Sequence, residues 1–227
     1  TMNLHGPLLT GRTLLLLALA ILAGPALGQE RSMNLVPLEK FIQFQRGIRS
    51  LQANFVETRS MRTLRTAGGG QGTLYMAGAT KFRWQTAGDP PRSIAIRNGS
   101  TFWLIQPQAK RAEKRTVSES EFSPFDFAAG GIARSMDDLR KRYAIDSVAR
   151  QEGVWVAVIR PLDRGVAAKV RRITLGIDPA RYYLRSLKLE LRDGSSIHAV
   201  FTSQRFNPSL ASDLFTPHLE GYLIRDR

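Results

Sequence analysis

The chain has 227 residues, with 33 Lys and Arg against 19 Asp and Glu, three His and no Cys. The missing Cys excludes disulfides, thiol catalysis, Cys-based metal sites and lipid attachment to an N-terminal Cys. The surplus of +14 points to acidic partners, or to a plainly basic solvated surface.

Arg12 is the only formal side-chain charge before Glu30, and an apolar run from Thr13 to Ala23 follows it. Ala26-Leu27-Gly28 then offers a small-residue cleavage site. Basic, apolar and small segments in that order are the pattern of a secretory signal. Residues 1–28 are therefore expected to be removed, leaving residues 29–227 as one exported domain with 32 basic and 19 acidic side chains. The apolar run is shorter than the roughly 20 residues of a membrane-spanning helix, and an uncleaved anchor is the alternative. Export makes nucleic acid an unsuitable partner for the positive charge.

Leu35, Leu38, Phe41, Ile42 and Phe44 recur at helical spacing, which predicts an amphipathic helix over Leu35–Arg46 with Gly47 as its C-cap. Leu51 to Glu57 alternates like a half-buried strand. Gly68-Gly69-Gly70-Gln71-Gly72 reads as a flexible hairpin turn; a phosphate cradle would need a following Lys-Ser/Thr that is absent. Strands are expected at Gly72–Met76, Lys81–Gln85, Ser93–Arg97 and Thr101–Gln106, with Asn98-Gly99 as a hairpin signal and Asp89-Pro90-Pro91 as a loop. Between Ser123 and Lys141, Phe125, Phe127 and Ala128-Ala129-Gly130-Gly131 suggest a short apolar helix or loop. Ser135-Met136-Asp137-Asp138 resembles a capping box that opens a second short helix. Strands resume at Arg142–Ala149, Val154–Arg160, Lys169–Asp178, Tyr183–Arg192 and Ser196–Arg205, separated by Gly153, Asp178-Pro179 and Asp193-Gly194. Strands this short and this close predict an α+β, mainly β fold built on an antiparallel sheet, sandwich or barrel.

Catalytic sets are weak. Asp193, Ser195 or Ser196, and His198 hold the residue types of a Ser-His-Asp triad, but Asp193-Gly194 is a turn and no G-x-S-x-G elbow is present. His5, His198 and His218 are too scattered for a metal site, so no metal or cofactor is expected. Glu119, Glu121, Asp137 and Asp138 sit at expected loops or helix starts, where they favour helix N-termini. The expectation is a protein that is not an enzyme. The stronger signal is apolar: Leu74, Met76, Phe82, Trp84, Ile94, Ile96 and Phe102 to Ile105 fall on consecutive short strands, and the last run is apolar on both faces. A sheet apolar on both faces must be covered twice, by an ordinary core or by a bound apolar ligand.

Several segments in order resemble the periplasmic outer-membrane lipoprotein carrier family (LolA-like). Leu51-Gln52-Ala53-Asn54-Phe55 resembles its first strand, and Gln71-Gly72-Thr73-Leu74-Tyr75 with Lys81-Phe82-Arg83-Trp84 resembles its G-x-L-aromatic…F-x-W hairpin. Ile96-Arg97-Asn98-Gly99 to Trp103 resembles the next hairpin, and Leu214-Phe215-Thr216-Pro217 with Gly221 the closing motif. The resemblance implies a strongly curved antiparallel sheet forming an unclosed barrel, with short helices as a lid. It implies a monomeric periplasmic carrier that shuttles acylated lipoprotein from an inner-membrane transporter to an outer-membrane acceptor. A lipid- or lipoprotein-sensing regulatory module of the same fold is the alternative. Phe55, Leu74, Met76, Phe82, Trp84, Ile96, Phe102 and Leu104 would line the acyl cavity, and Phe125 and Phe127 would belong to the lid. Two departures suggest a divergent paralogue. Gly78-Ala79 stands where the family commonly has Arg-Pro, whose Arg latches the lid, and Pro217-His218 replaces a Pro pair. Lys81 or Arg83 are the nearby basic residues that could substitute for the latch.

Overall fold

The computed structural model describes residues 33–61, 68–117 and 132–226. Its first element is α1 (Val36–Arg46), with Pro37 in the first turn, where a missing N–H costs no helical hydrogen bond. Leu38, Phe41 and Ile42 form the buried stripe of this helix. Gly47 follows it with φ −82°, so the helix ends without the left-handed glycine that the sequence suggests. Asn207 secures this end instead. Its Nδ2 donates to the Gly47 carbonyl at 3.1 Å, and its Oδ1 accepts from the Arg49 N–H at 2.7 Å.

Strands β1 (Ser50–Ser60), β2 (Gly68–Ala77), β3 (Lys81–Thr86), β4 (Ile94–Asn98), β5 (Thr101–Gln106) and β6 (Arg111–Thr116) follow as sequential antiparallel neighbours. Helix α2 (Met136–Arg142) leads directly into β7 (Tyr143–Gln151). The second run contains β8 (Val154–Pro161), α3 (Arg164–Ala167), β9 (Val170–Ile177), β10 (Leu184–Leu191) and β11 (Ser196–Phe206). A 3-10 turn at Ser212–Phe215 then precedes β12 (Leu223–Asp226).

All twelve strands lie in one sheet, in the order β12-β6-β5-β4-β3-β2-β1-β11-β10-β9-β8-β7. The two runs join where β1 pairs with β11, and β12 pairs with β6 in parallel. Edge strands β12 and β7 do not meet, so the sheet is an unclosed barrel.

Three elements differ from the sequence expectation. Gly68 to Gly72 is not a turn but the first half of β2, from Gly68 opposite Arg59 to Gly72 opposite Phe55. Glycine is needed there for close approach. A Cβ on Gly72 would stand 2.0 Å from the Gln85 carbonyl oxygen and 2.6 Å from the Phe55 ring. Strand β6, Arg-Ala-Glu-Lys-Arg-Thr, lacks apolar alternation because only Ala112 is buried. All four residues of β12 are exposed, and the sequence pattern predicts neither strand.

Candidate functional site

Residues directly opposite each other on paired strands share a face. The pairings therefore define rows across the sheet. One row runs Met76, Phe82, Arg97, Phe102 and Arg115 across β2 to β6. The next runs Leu74, Trp84, Ala95, Leu104, Glu113 and Arg225 across β2 to β6 and β12. On the other side of β2, Phe55 lies opposite Phe201, and Leu187, Leu175 and Ala157 form a matching row across β10, β9 and β8. This is the inner face. From β3 to β8 it is apolar apart from Glu57 on β1, and Leu38, Phe41 and Ile42 of α1 and Leu139 of α2 belong to the same buried cluster.

Phe55, Leu74, Met76, Phe82 and Trp84 are all buried on that face. Phe55 stacks on Trp84 with ring centroids 3.8 Å apart, and Trp84 meets Phe201 edge-on at 6.2 Å. Phe102 packs against the cluster and lies 6.2 Å from Phe82. Leu104 is on the same face but 38% exposed, towards the β6 rim. Ile96 is displaced from the expected wall. Strand alternation turns it to the opposite face, into a second cluster with Ile94, Ile105 and Ala112, where Trp103, Leu219 and Tyr222 cover it. The residues after β11 thus supply part of the second cover, and the apolar character of both faces of β5 has two separate explanations. Phe125 and Phe127 lie outside the described residues.

The inner face also holds ionised groups that sequence reasoning did not single out. Arg97 is 4% exposed between Phe82 and Phe102, and its Nε donates to the Gly99 carbonyl at 3.1 Å. Arg115 places its guanidinium 4.7 Å from the centre of the Phe102 ring. The available signal was the alternation of Ile94-Ala95-Ile96-Arg97, which puts Arg97 on the same face as Trp84. Glu57, buried on β1, pairs with Arg59. At the β6 rim a hollow of about 90 Å³ is lined by Leu104, Gln106, Arg111, Glu113, Leu223 and Arg225.

A groove of about 500 Å³ separates the two covering helices, lined by Ile42, Gln43 and Arg46 of α1 and by Arg134, Ser135 and Met136 before and in α2. The capping geometry expected at Ser135 is present: its Oγ accepts from the Asp138 N–H at 3.1 Å. Asp138 in turn accepts from the Arg134 N–H at 2.7 Å and from Arg142 at 2.9 Å. The backbone hydrogen bond from Arg134, with Arg142 nearby, holds the Asp138 carboxyl below its ordinary value.

The residues weighed as a latch do not converge on the inner face. Arg83 lies on the outer face, where Nη1 donates to the Leu214 carbonyl at 3.3 Å and Nε to Gln85 at 2.9 Å. Burial lowers its affinity for a proton, partly offset by Tyr75 and Asp213. Lys81 is exposed, and Gly78 occupies a turn at φ +64°. The hydrolytic set does not assemble either. Asp193 accepts from the Ser195 N–H within its own turn, and His198 sits on the outer face opposite Lys188 and Thr58. Among the described residues no cluster of three or more His, Asp or Glu could hold a metal ion, and no helix is long and apolar enough to cross a membrane.

Comparison with known proteins bears on this arrangement. An outer-membrane lipoprotein carrier protein of Dechloromonas aromatica is 24% identical over 183 residues, 79% of this chain and 83% of that protein. An uncharacterized conserved protein of Thermus thermophilus has the same fold, with a TM-score of 0.51 at 10% identity over 85% of this chain and 98% of its own. A LolA superfamily protein of Nitrosomonas europaea aligns with a TM-score of 0.41 at 13% identity, over 82% of this chain and 98% of its own. The family model for the outer membrane lipoprotein carrier protein LolA matches residues 46–218, which takes in the strand ladder from β1 to β11 and the 3-10 turn that follows it. With both the motif order and the unclosed, helix-covered sheet in agreement, the chain belongs to the LolA outer-membrane lipoprotein carrier family.

Proposed function

We propose that residues 29–227 form a periplasmic, non-enzymatic carrier that takes up the acyl chains of a lipoprotein or a related lipid against the inner face of the sheet. It would collect this cargo from an inner-membrane transporter and hand it to an outer-membrane acceptor. The observation that carries the reading is the extended, mainly apolar inner face of an unclosed sheet, with two short helices as its cover. Phe55, Leu74, Met76, Phe82, Trp84, Phe102 and Leu104 form the wall in this reading; Ile96 does not, because it faces the other way. The physics requires little else. Burying an acyl chain is worth about 0.8 kcal/mol per CH₂, so affinity comes from length and release from movement of the cover. The groove between α1 and α2 is the natural place for that cover to part, since apolar Ile42 lines it together with charged Arg46 and Arg134.

The test is mass spectrometry of material co-purified with the protein from a periplasmic extract, alongside uptake of a fluorescent acyl probe. Acylated species in the extract and saturable uptake are expected. No acylated species together with no uptake would refute the reading. Sequencing of the secreted chain should start at Gln29.

A further inference from the structure

Exposed cations collect at the end of the sheet where β1 begins, β11 finishes and β9 turns into β10. Phe44 of α1, Tyr183 of the β9–β10 turn and Phe206 of β11 form a ring cluster there. Their centroids are 5.0 Å apart for Phe44 and Phe206, 5.5 Å for Tyr183 and Phe206, and 6.3 Å for Phe44 and Tyr183. The Arg181 guanidinium lies 5.7 Å from the Tyr183 ring centre and 6.0 Å from that of Phe206, and the Lys40 ammonium lies 4.9 Å from that of Tyr182. Arg205 precedes Phe206 on β11. Arg46 closes α1 and Arg49 leads into β1, and Asn207 ties both segments to the end of β11. Lys40, Arg46, Arg49, Arg181 and Arg205 are all exposed, and none of them forms an ion pair among the described residues. The acids near them are Glu39, beside Lys40, and Asp178. The Asp178 carboxylate already accepts from the Ala180 and Arg181 N–H groups at 3.0 and 2.8 Å, with Arg185 at 3.9 Å. Glu152, in the β7–β8 turn, is offset by Arg150 two residues before it.

We infer that this end of the molecule docks on an anionic membrane surface, with Lys40, Arg46, Arg49, Arg181 and Arg205 facing lipid phosphates. The inference goes beyond the carrier reading and does not depend on it. Like charges gathered on one end repel each other, and a sheet of negative headgroups relieves that repulsion. Half-buried rings with basic side chains at their margin suit a membrane–water interface, where aromatic bodies sit at headgroup level and cations reach the phosphates. Tyr182 is held in the left-handed region at φ +60°, which is costly for a bulky residue. Two backbone hydrogen bonds keep it there, from the Tyr182 N–H to the Asp178 carbonyl at 3.0 Å and from the Asp178 N–H to the Tyr183 carbonyl at 2.9 Å. Strain of this kind persists where the surrounding structure fixes it, and it concentrates at functional sites. Here it sets a tyrosine ring against Lys40. Arg46 also lines the groove between α1 and α2, so docking brings the cover of the inner face to the bilayer.

The experiment is co-sedimentation of the full secreted chain with vesicles of phosphatidylcholine alone and of phosphatidylcholine mixed with phosphatidylglycerol, at low salt. The mixed vesicles are expected to bind at least about 10-fold more tightly, and salt near 1 M, where screening acts within about 3 Å, should release the protein. Each cation removed should weaken binding about 5-fold, so the double variant Arg181→Gln with Arg205→Gln should lose about 25-fold. The control double variant, Arg164→Gln with Lys169→Gln, removes the same charge at the opposite end of β9, roughly 20 Å along the strand. It should change binding less than about 2-fold, because charges act over only about 8 Å at physiological salt. All four positions are exposed, so folding is not at stake. Equal losses from the two double variants would overturn the docking surface, and so would equal binding to both kinds of vesicle or binding to neither. Binding of soluble polyglutamate without binding of vesicles would overturn it in favour of an acidic protein partner. Uptake of a fluorescent acyl probe in vesicle-free solution should be the same in the Arg181/Arg205 double variant as in the wild type, so failure of the docking surface and failure of the carrier reading are read separately.

Discussion

Asn207 carries more of the architecture than its exposed position suggests. It follows β11 at φ +57°, and its one amide ties the end of α1 to the start of β1 through the Gly47 carbonyl and the Arg49 N–H. Asn207→Ala removes these two hydrogen bonds, each worth about 0.5–1.5 kcal/mol net, and the longer 3.4 Å one that the same Oδ1 accepts from the Ser50 N–H. It also places a Cβ-bearing residue without Asn's local hydrogen bonding in the left-handed region, at roughly 1 kcal/mol. Solvent access to the site argues for the lower half of the combined range, so the expected loss is about 2 kcal/mol. Asn207→Gly removes the same bonds without the backbone strain and should lose about 1 kcal/mol less than Ala. Urea unfolding of the secreted chain, followed by tryptophan fluorescence, measures both. For a domain of this size a loss of about 2 kcal/mol lowers Tm by roughly 4–8 °C. The reasoning fails if Asn207→Ala unfolds at the wild-type midpoint, or if Asn207→Gly is the less stable of the two.

Gly72→Ala should cost at least about 2 kcal/mol in thermal unfolding, because the added Cβ meets backbone as well as the Phe55 ring and neither can withdraw. Leu104→Asp should weaken uptake of an acyl probe with little loss of stability, since Leu104 is partly exposed on the inner face. Ile96→Ala should do the reverse: a loss of about 2–4 kcal/mol in unfolding, with uptake per folded molecule unchanged, because Ile96 belongs to the outer cluster. Burial and facing Lys188 hold the His198 imidazole below its ordinary pKa. The folded state thus binds this proton less readily than the unfolded one, and the His198 contribution to stability is full above the unfolded value and declines as pH falls below about 6.5. His198→Gln should flatten that part of a pH–stability profile measured by urea unfolding.

Most of the ladder was legible because its strands alternate and its turns carry Gly, Asn or Asp. β7 to β11 lie within a few residues of their expected spans for this reason. β6 and β12 escape a pattern-based reading because their pairing, not their burial, makes them strands: Arg111 to Thr116 reads as a solvated charge run. The glycines make β2 read short, since Gly68 to Gly72 signals a turn until Phe55 and Gln85 are seen to need the space. The inner face was legible as a set of apolar residues but not as a surface. Assigning Ile96 to the wall and overlooking Arg97 are the same error, a shift of one residue on β4, which exchanges the two faces of a strand.

The order of strands also bears on how the sheet comes together. Within each meander every neighbour is adjacent in sequence, so both ladders can zip locally and early. The β1–β11 union is different: Leu51 sits opposite Phe206 across most of the chain. A polypeptide emerging N-terminus first therefore carries β1 with one bare edge, and Phe55 without Phe201 beside it, until residues 196–206 arrive. That interval is when the nascent chain is most open to pairing with a foreign strand, and a chaperone that holds β1 during it would protect the assembly at its narrowest point.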